Sequence, residues 1–298
     1  MMRKQVEDGM SFRSRQHGLY ASMAAAAGFL LLSSTWLPAA DSRKEFHYTV
    51  GSAATVSIVN PQGNVTVKPA PGRQVTIVAT SHSEKVEINS RQNGNRVEAR
   101  TRNLQKANGE EARVDYEVTL PEDASLVIDS GQGDVRVNDL RGSVHVESET
   151  GSVTVRGVTG GVQVQSVNSA VQLGELKQGQ VQVTSTGGAV TMESVTGPMV
   201  SVRSTTGAIR YSGSFDGGGT YSFTSHSGDI EVAMAPASSV ELTARSVKGS
   251  VENDFPFQKI PHPGFALTEG KSMAGTSHSG ASSVELRSFT GKIRVRKQ

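Results

Sequence analysis

Short runs in which every second residue is apolar fill this chain from residue 55 to its end. The clearest unit spans residues 144–160, where Val144 and Val146 alternate with His145 and Glu147, and Gly151 is followed by Val153 and Val155. Alternate residues of a strand point the same way, so Val144, Val146 and Ser148 share one face, as do Val153 and Val155. Each unit is predicted to hold two strands and two turns, with valines inward and His145, Glu147 and Thr154 outward. Val158 falls near the second turn, in the place of Leu140 one unit earlier and of Val195 later.

A serine and a glycine three residues apart mark the first turn of every unit. The pairs are Ser130/Gly133, Ser148/Gly151, Ser185/Gly188, Ser204/Gly207, Ser225/Gly228, Ser246/Gly249 and Ser288/Gly291; Ser166 belongs to the same column, with Ser169 in the glycine place. Successive serines lie 18, 18, 19, 19, 21, 21 and 42 residues apart. A recurring period of this size marks stacked repeats, because one unit cannot bury its own apolar face. The expected fold is all-β: a right-handed parallel β-solenoid with two strands per 18–21-residue coil, about eight coils, and an N-terminal β cap. At a strand spacing of about 4.8 Å, eight coils make a rod of about 38 Å. A left-handed hexapeptide helix does not fit, since the apolar residues do not recur every six positions. The serine hydroxyl is expected to bond backbone groups at the corner. The glycine is expected to supply a positive φ or a close backbone approach. A column of catalytic serines is the competing idea, but repetition on every coil is a property of architecture.

Before the repeat, residues 45–122 also alternate with period two. Their strands are separated by Asn60-Pro61-Gln62-Gly63, by Pro69 to Gly72, and by Asn93-Gly94, a strong hairpin signal. This segment reads as a small antiparallel sheet that caps the stack, because an open terminal coil exposes unpaired edges. Residues 123–298 form the solenoid. Within them, Pro256, Pro261 and Pro263 are incompatible with a central strand, so residues 253–281 read as an excursion from the rod, or as a degenerate coil around Leu267 and Gly270. Long loops on rigid scaffolds often carry binding function. In the later coils Tyr211, Phe215, Tyr221 and Phe223 replace valine or small residues. They are either larger inward side chains of a wider coil or an exposed aromatic platform. The candidate binding surface is therefore Tyr211, Phe215, Tyr221, Phe255, Phe257 and Phe265. The last strand places Lys292, Arg294 and Arg296 on one face, as guards of an exposed terminal edge or as a phosphate- or lipid-binding stripe.

Composition narrows the function. Glycine is high at 32 residues, aromatics are low at 5%, and cysteine is absent, which removes disulfides, thiolate metal sites and a cysteine nucleophile. The formal net charge of +2 sits in residues 1–40, where Arg3, Lys4, Arg13 and Arg15 outnumber Glu7 and Asp8. The balanced remainder argues against nucleic acid as a partner. Residues 18–37 carry no charge and follow Arg13 and Arg15, so residues 1–40 read as a secretory signal peptide or an uncleaved membrane anchor. The body is then exported, to the periplasm or the cell surface. The seven histidines lack metal-ligand spacing, and neither a phosphate loop nor a dinucleotide fingerprint is present, so no cofactor or metal is expected.

Polysaccharide-cleaving β-helices need outward carboxylates or basic groups clustered on neighbouring coils. Here one outward column reads Asp129, Glu147, Gln165, Thr184, Arg203, Thr224, Arg245 and Arg287. A second reads Asp134, Ser152, Ala170, Ala189, Ala208, Asp229, Ser250 and Lys292. In chain order both are mixed, and no catalytic residue is assigned.

Residues 54–67 (ATVSIVNPQGNVTV), the run of Ser-x-x-Gly-x-Val coils, residues 249–256 (GSVENDFP) and residues 284–295 (VELRSFTGKIRV) together resemble the bacterial DUF4097 family of candidate adhesins. The likeness spans roughly residues 45–297, and more distantly extends to the head domains of autotransporter-type adhesins. It implies an exported bacterial β-solenoid with no established enzyme activity, and carries no family site residues. The expectation is a non-enzymatic envelope protein presenting a rigid surface to a glycan or protein. The alternatives are an envelope-stress accessory or sensor acting through membrane partners and, third, a carbohydrate-active enzyme.

Overall fold

A computed structural model describes residues 42–298 apart from 105, 216–217, 262–263 and 265. The expected export signal or anchor in residues 1–40 therefore lies outside the described residues. Among the described residues, no helix is long and apolar enough to cross a membrane. The first strands are β1 (Ser42–Thr49), β2 (Thr55–Gln62), β3 (Val65–Pro69), β4 (Gln74–Ser81), β5 (Val86–Asn93), β6 (Arg96–Asn103) and β7 (Val114–Leu120). The regular coils follow as β8 (Ser125–Gln132), β9 (Val135–Asn138), β10 (Val144–Thr150), β11 (Ser152–Arg156), β12 (Val162–Ser166), β13 (Ala170–Gly174), β14 (Val181–Ser185), β15 (Val190–Glu193), β16 (Met199–Ser204), β17 (Ile209–Gly213), β18 (Thr220–Ser225) and β19 (Ile230–Met234). The chain ends with β20 (Val240–Ser246), β21 (Val251–Asn253), β22 (Gln258–Lys259), β23 (Ser272–Ser277), β24 (Ser282–Ser288) and β25 (Ile293–Lys297).

Two sheets face each other as a β-solenoid. Sheet A has the order β1-β4-β7-β3-β9-β11-β13-β15-β17-β19-β25-β21, and sheet B the order β22-β23-β20-β24-β18-β16-β14-β12-β10-β8-β2-β6-β5. Each coil gives one strand to each sheet, and neighbouring coils pair in parallel with matched residues. In sheet B, Ile128, Val146, Val164, Val183, Val202 and Phe223 form one inward column. In sheet A, Val135, Val153, Val171, Val190, Ile209 and Ile230 form another. All twelve are fully shielded from solvent. Full burial of one such side chain stabilises by about 1.5–3 kcal/mol before ordering costs, so the stacked columns are the main cohesive force.

Chain order and spatial order part at both ends. The β2/β3 rung lies inside the N-terminal cap, between β8/β9 and the later β6/β7. Antiparallel strands β4 and β1 extend sheet A beyond it, and β5 extends sheet B. At the other end the chain lays down β20/β21 one slot away from β18/β19. It then returns to insert β24/β25 into the slot it had left. In space the serine column therefore runs Ser225, Ser288, Ser246.

The long serine interval reflects that return path. Residues 253–281 include β23, which pairs antiparallel with β20, and β22, which pairs antiparallel with the outer edge of β23. The last strand is thus not at an edge. β25 sits between β19 and β21, and Lys292, Arg294 and Arg296 are paired with acids of the neighbouring rungs. Both expectations for that stripe, edge guard and anion-binding surface, give way to an ion-pair ladder.

Candidate functional site

The serine column is built into the wall. All eight serines are buried. Ser185 Oγ donates to Gly188 O and Ser204 Oγ to Gly207 O, each at 2.7 Å, while Ser246 Oγ reaches Gly291 O of the adjacent rung at 2.8 Å. Ser166 Oγ donates to Ser169 O at 2.8 Å and accepts the Ser169 N–H at 3.0 Å. Ser288 Oγ accepts the N–H of Gly291 at 2.9 Å. Ser148 Oγ contacts Ser169 Oγ at 2.7 Å, whereas the Ser130 and Ser225 hydroxyls are buried in the column without a side-chain hydrogen bond. In the β2/β3 rung Asn60 takes the serine place and donates to Gly63 O and Val114 O. These contacts close corners and present no hydroxyl to solvent.

The partnering glycines explain how closely the corners stack. A Cβ on Gly207 would collide with the carbonyl oxygen of Gly188. The same holds for Gly188 on Ser169, Gly228 on Gly207, Gly291 on Gly228 and Gly249 on Gly291. Only the first column members, Gly63, Gly133 and Gly151, also have positive φ, at 117°, 134° and 122°. Close approach is thus the general requirement.

The aromatic surface read from sequence is mostly interior. Tyr211, Phe215 and Tyr221 are at most 2% exposed and pack on one another and on Phe223, with ring centroids 4.7 to 6.1 Å apart. The Tyr211 hydroxyl lies 2.9 Å from the carbonyls of Val195 and Ser214. The wider coils make room for these rings, whose burial is worth more than display on a solvated face. Phe255 is also buried, and Phe257 is half-buried with its ring 5.0 Å from that of Phe255. Those two line a cavity of about 560 Å³ with Leu267 and Met273 at the β22/β23 end. Phe265 lies outside the described residues.

The outward face of sheet B is the better candidate. In spatial order its column reads Asp129, Glu147, Gln165, Thr184, Arg203, Thr224, Arg287, Arg245, which differs from chain order only in the exchange of the last two arginines. Along the eight rungs from β8 to β20, acid comes first, amide and hydroxyl follow, and guanidinium comes last; beyond Asp129 the same column continues into the cap as Val59 and Arg100. Beside it runs Val127, His145, Gln163, Gln182, Ser201, Ser222, Glu285, Thr243. A shallow trough of about 480 Å³ lies over β10 to β16, lined by His145, Gln163, Gln182, Met199, Ser201 and Arg203. Within this face His145 Nε2 lies 3.2 Å from Glu147, and Arg287 pairs with Glu285.

Exposed apolar groups gather along the rims of the same face. Val167, Val247 and Phe289 follow the serines at the corner, and Met199 opens β16. The Phe289 ring stacks on His226 at 5.1 Å, with Lys248 Nζ 4.9 Å above it. Sequence reading missed Phe289, His226 and the place of Glu285 between Ser222 and Thr243. A local period counts rungs and carries no record of the slot each one fills.

Sheet A holds several of its outward charges in ion pairs. Asp134 accepts from the Ser152 hydroxyl at 2.7 Å and pairs with Arg136 at 2.6 Å, and these hold its carboxyl below the ordinary value. The Lys292 ammonium, 3.0 Å away, does the same to Glu252, with Arg294 adding to it.

The protein-family model described as Toastrack DUF4097 matches residues 54–296. Two solved structures are similar to this chain. One is a candidate cell adhesion protein from Clostridium sporogenes, 14% identical, covering 86% of this chain and 100% of that one, with a TM-score of 0.29. The other is a candidate adhesin from Bacteroides fragilis, 10% identical, covering 86% and 98%, with a TM-score of 0.42. No curated protein matches the chain.

Proposed function

Because this chain belongs to the Toastrack DUF4097 family, we propose that it is a non-enzymatic, exported, adhesin-like protein of the cell envelope, whose recognition surface for a glycan or a protein is the outward face of sheet B. One observation carries the reading. On sheet A, Asp229, Glu231 and Glu252 pair with the basic residues of β25, whereas the eight rungs of sheet B from β8 to β20 carry Asp129 and Glu147 on the first two and Arg287 and Arg245 on the last two, with Val167, Met199, Val247 and Phe289 exposed at the rims. Segregated charge and clustered apolar side chains are what an interaction surface offers a partner. Asp129 and Glu147 stand on adjacent rungs, but both are exposed on an open sheet rather than enclosed in a cleft, which supports binding over bond cleavage.

The test uses cells making the full chain with a C-terminal tag. External protease is expected to remove the tag from intact cells, and Arg203→Glu on sheet B to abolish cell adherence while Arg210→Glu on sheet A preserves it. Protection of the tag with the segment 1–40 retained would instead favour a periplasmic partner of membrane proteins. Equal loss from both substitutions would remove sheet B as the surface.

A further inference from the structure

The graded face of sheet B is complementary to itself. Numbering the rungs from β8 to β20 in spatial order, a second copy turned face to face about an axis parallel to the strands places the first rung over the last. Asp129 then opposes Arg245 of the second copy, Glu147 opposes Arg287, Gln165 opposes Thr224, and Thr184 opposes Arg203. The neighbouring column obeys the same operation: His145 meets Glu285, Gln163 meets Ser222, and Gln182 meets Ser201. Within both outward columns the operation juxtaposes no like charges. At the corner, exposed Val167 comes over the rung of His226, beside Phe289.

We propose that the partner of this face is a second copy of this chain, docked antiparallel in an isologous two-fold dimer. The proposal rests on the reading of sheet B as the recognition surface and names what that surface recognises. A two-fold operation demands that one patch complement itself, and a column graded from acid through neutral to base meets that demand only in the antiparallel sense. The parallel arrangement stacks Asp129 on Asp129 and Arg245 on Arg245, and is rejected by repulsion. Eight rungs at about 4.8 Å and five-residue strands at about 3.3 Å per residue give a face of about 34 by 16 Å. Two copies bury about 1,100 Å², at the lower bound for specific interfaces, so the dimer is weak and strongly salt-dependent. Weak single contacts suit adhesion between many copies on apposed surfaces.

The experiment is sedimentation of the purified full chain over a concentration series, at low and high salt. Wild type is expected to dimerise reversibly, with dissociation rising at least tenfold from about 50 to 500 mM salt. Glu147→Arg alone and Arg287→Glu alone each create two repulsive pairs per dimer and are expected to weaken association more than tenfold. Mixing the two variants restores both pairs, so the mixture is expected to associate within about threefold of wild type. A monomeric wild type at every concentration overturns the proposal, as does a mixture no tighter than its components. A monomeric wild type whose cells still lose adherence on Arg203→Glu leaves the recognition face standing with a glycan or other protein as its partner. A rescued dimer whose cells never adhere keeps the pairing and removes the adhesion reading.

Discussion

The two outer faces of this rod share one core and one register, yet they treat charge in opposite ways. On sheet A, Glu231, Arg294 and Glu252 alternate from rung to rung, and Asp229 and Arg296 add further pairs. On sheet B, over the rungs from β8 to β20, Asp129 and Glu147 come first in a column and Arg287 and Arg245 last. An alternating ladder satisfies each group locally and leaves little field to attract a partner. A column with acids on its first rungs and guanidinium groups on its last keeps a graded potential along the rod, even where Arg287 pairs with Glu285 and His145 lies beside Glu147. The same backbone thus carries an ion-pair ladder on one face and a graded column on the other.

The largest disturbance to both faces is a cavity in the core they share. Phe223→Ala removes a fully buried ring from the Tyr211/Phe215/Tyr221 cluster, and is expected to lower stability by about 4 kcal/mol in denaturant titration. Next comes the glycine ladder. Gly207→Ala drives a methyl group into the Gly188 carbonyl and is expected to cost about 3 kcal/mol. Gly161→Ala, whose Cβ has only the Gln180 carbonyl at 3.7 Å, is expected to stay within about 0.5 kcal/mol of wild type. Similar losses at the two glycines would refute close approach as the reason for the ladder. Ser185→Ala removes one buried corner hydrogen bond and is expected to cost about 1 kcal/mol. An unchanged melt would deny the column its structural role.

Acid should separate the faces by a smaller margin. Burial pushes the Asp115 carboxyl up, but the Asn64 N–H at 2.7 Å and the Arg113 and His82 side chains outweigh it and hold it below the ordinary value. Asp134 is lowered by the Ser152 hydroxyl and by Arg136. A depressed carboxylate stabilises the fold above its unfolded value of about 3.9 and loses that contribution as pH falls through the folded value. Asp115→Asn is expected to flatten the decline in melting temperature below about pH 4. A decline as steep as in wild type would place the acid sensitivity elsewhere. The smallest stability effect belongs to sheet B. Arg203→Glu is expected to leave stability within about 0.5 kcal/mol while changing binding, the mark of a residue kept for a partner.

Much of this architecture is legible in the chain. Period-two valines announce strands, because a pleated strand with one buried face needs them at alternate positions. The Ser-x-x-Gly column announces the corners. The aromatic residues were ambiguous for a physical reason: Tyr211, Phe215 and Tyr221 occupy inward positions of the repeat, but ring size alone does not tell a wider core from a displayed platform. The candidate surface was less legible still. Glu285 follows Thr243 by 42 residues, with prolines between them, and nothing local shows that its strand lies between those of Ser222 and Thr243.

The alternation, the coil length and the serine and glycine corners follow from short-range rules that any rung obeys wherever it is placed. They sufficed to specify a β-solenoid and its inward and outward positions. The order of the rungs follows from tertiary packing, because an open slot beside β18 and β19 accepts any strand pair with valine-like residues inside and serine at the corner. Packing filled that slot with β24 and β25. That choice moved Lys292, Arg294 and Arg296 into an ion-pair ladder and set Glu285 between Ser222 and Thr243 on the outward face of sheet B.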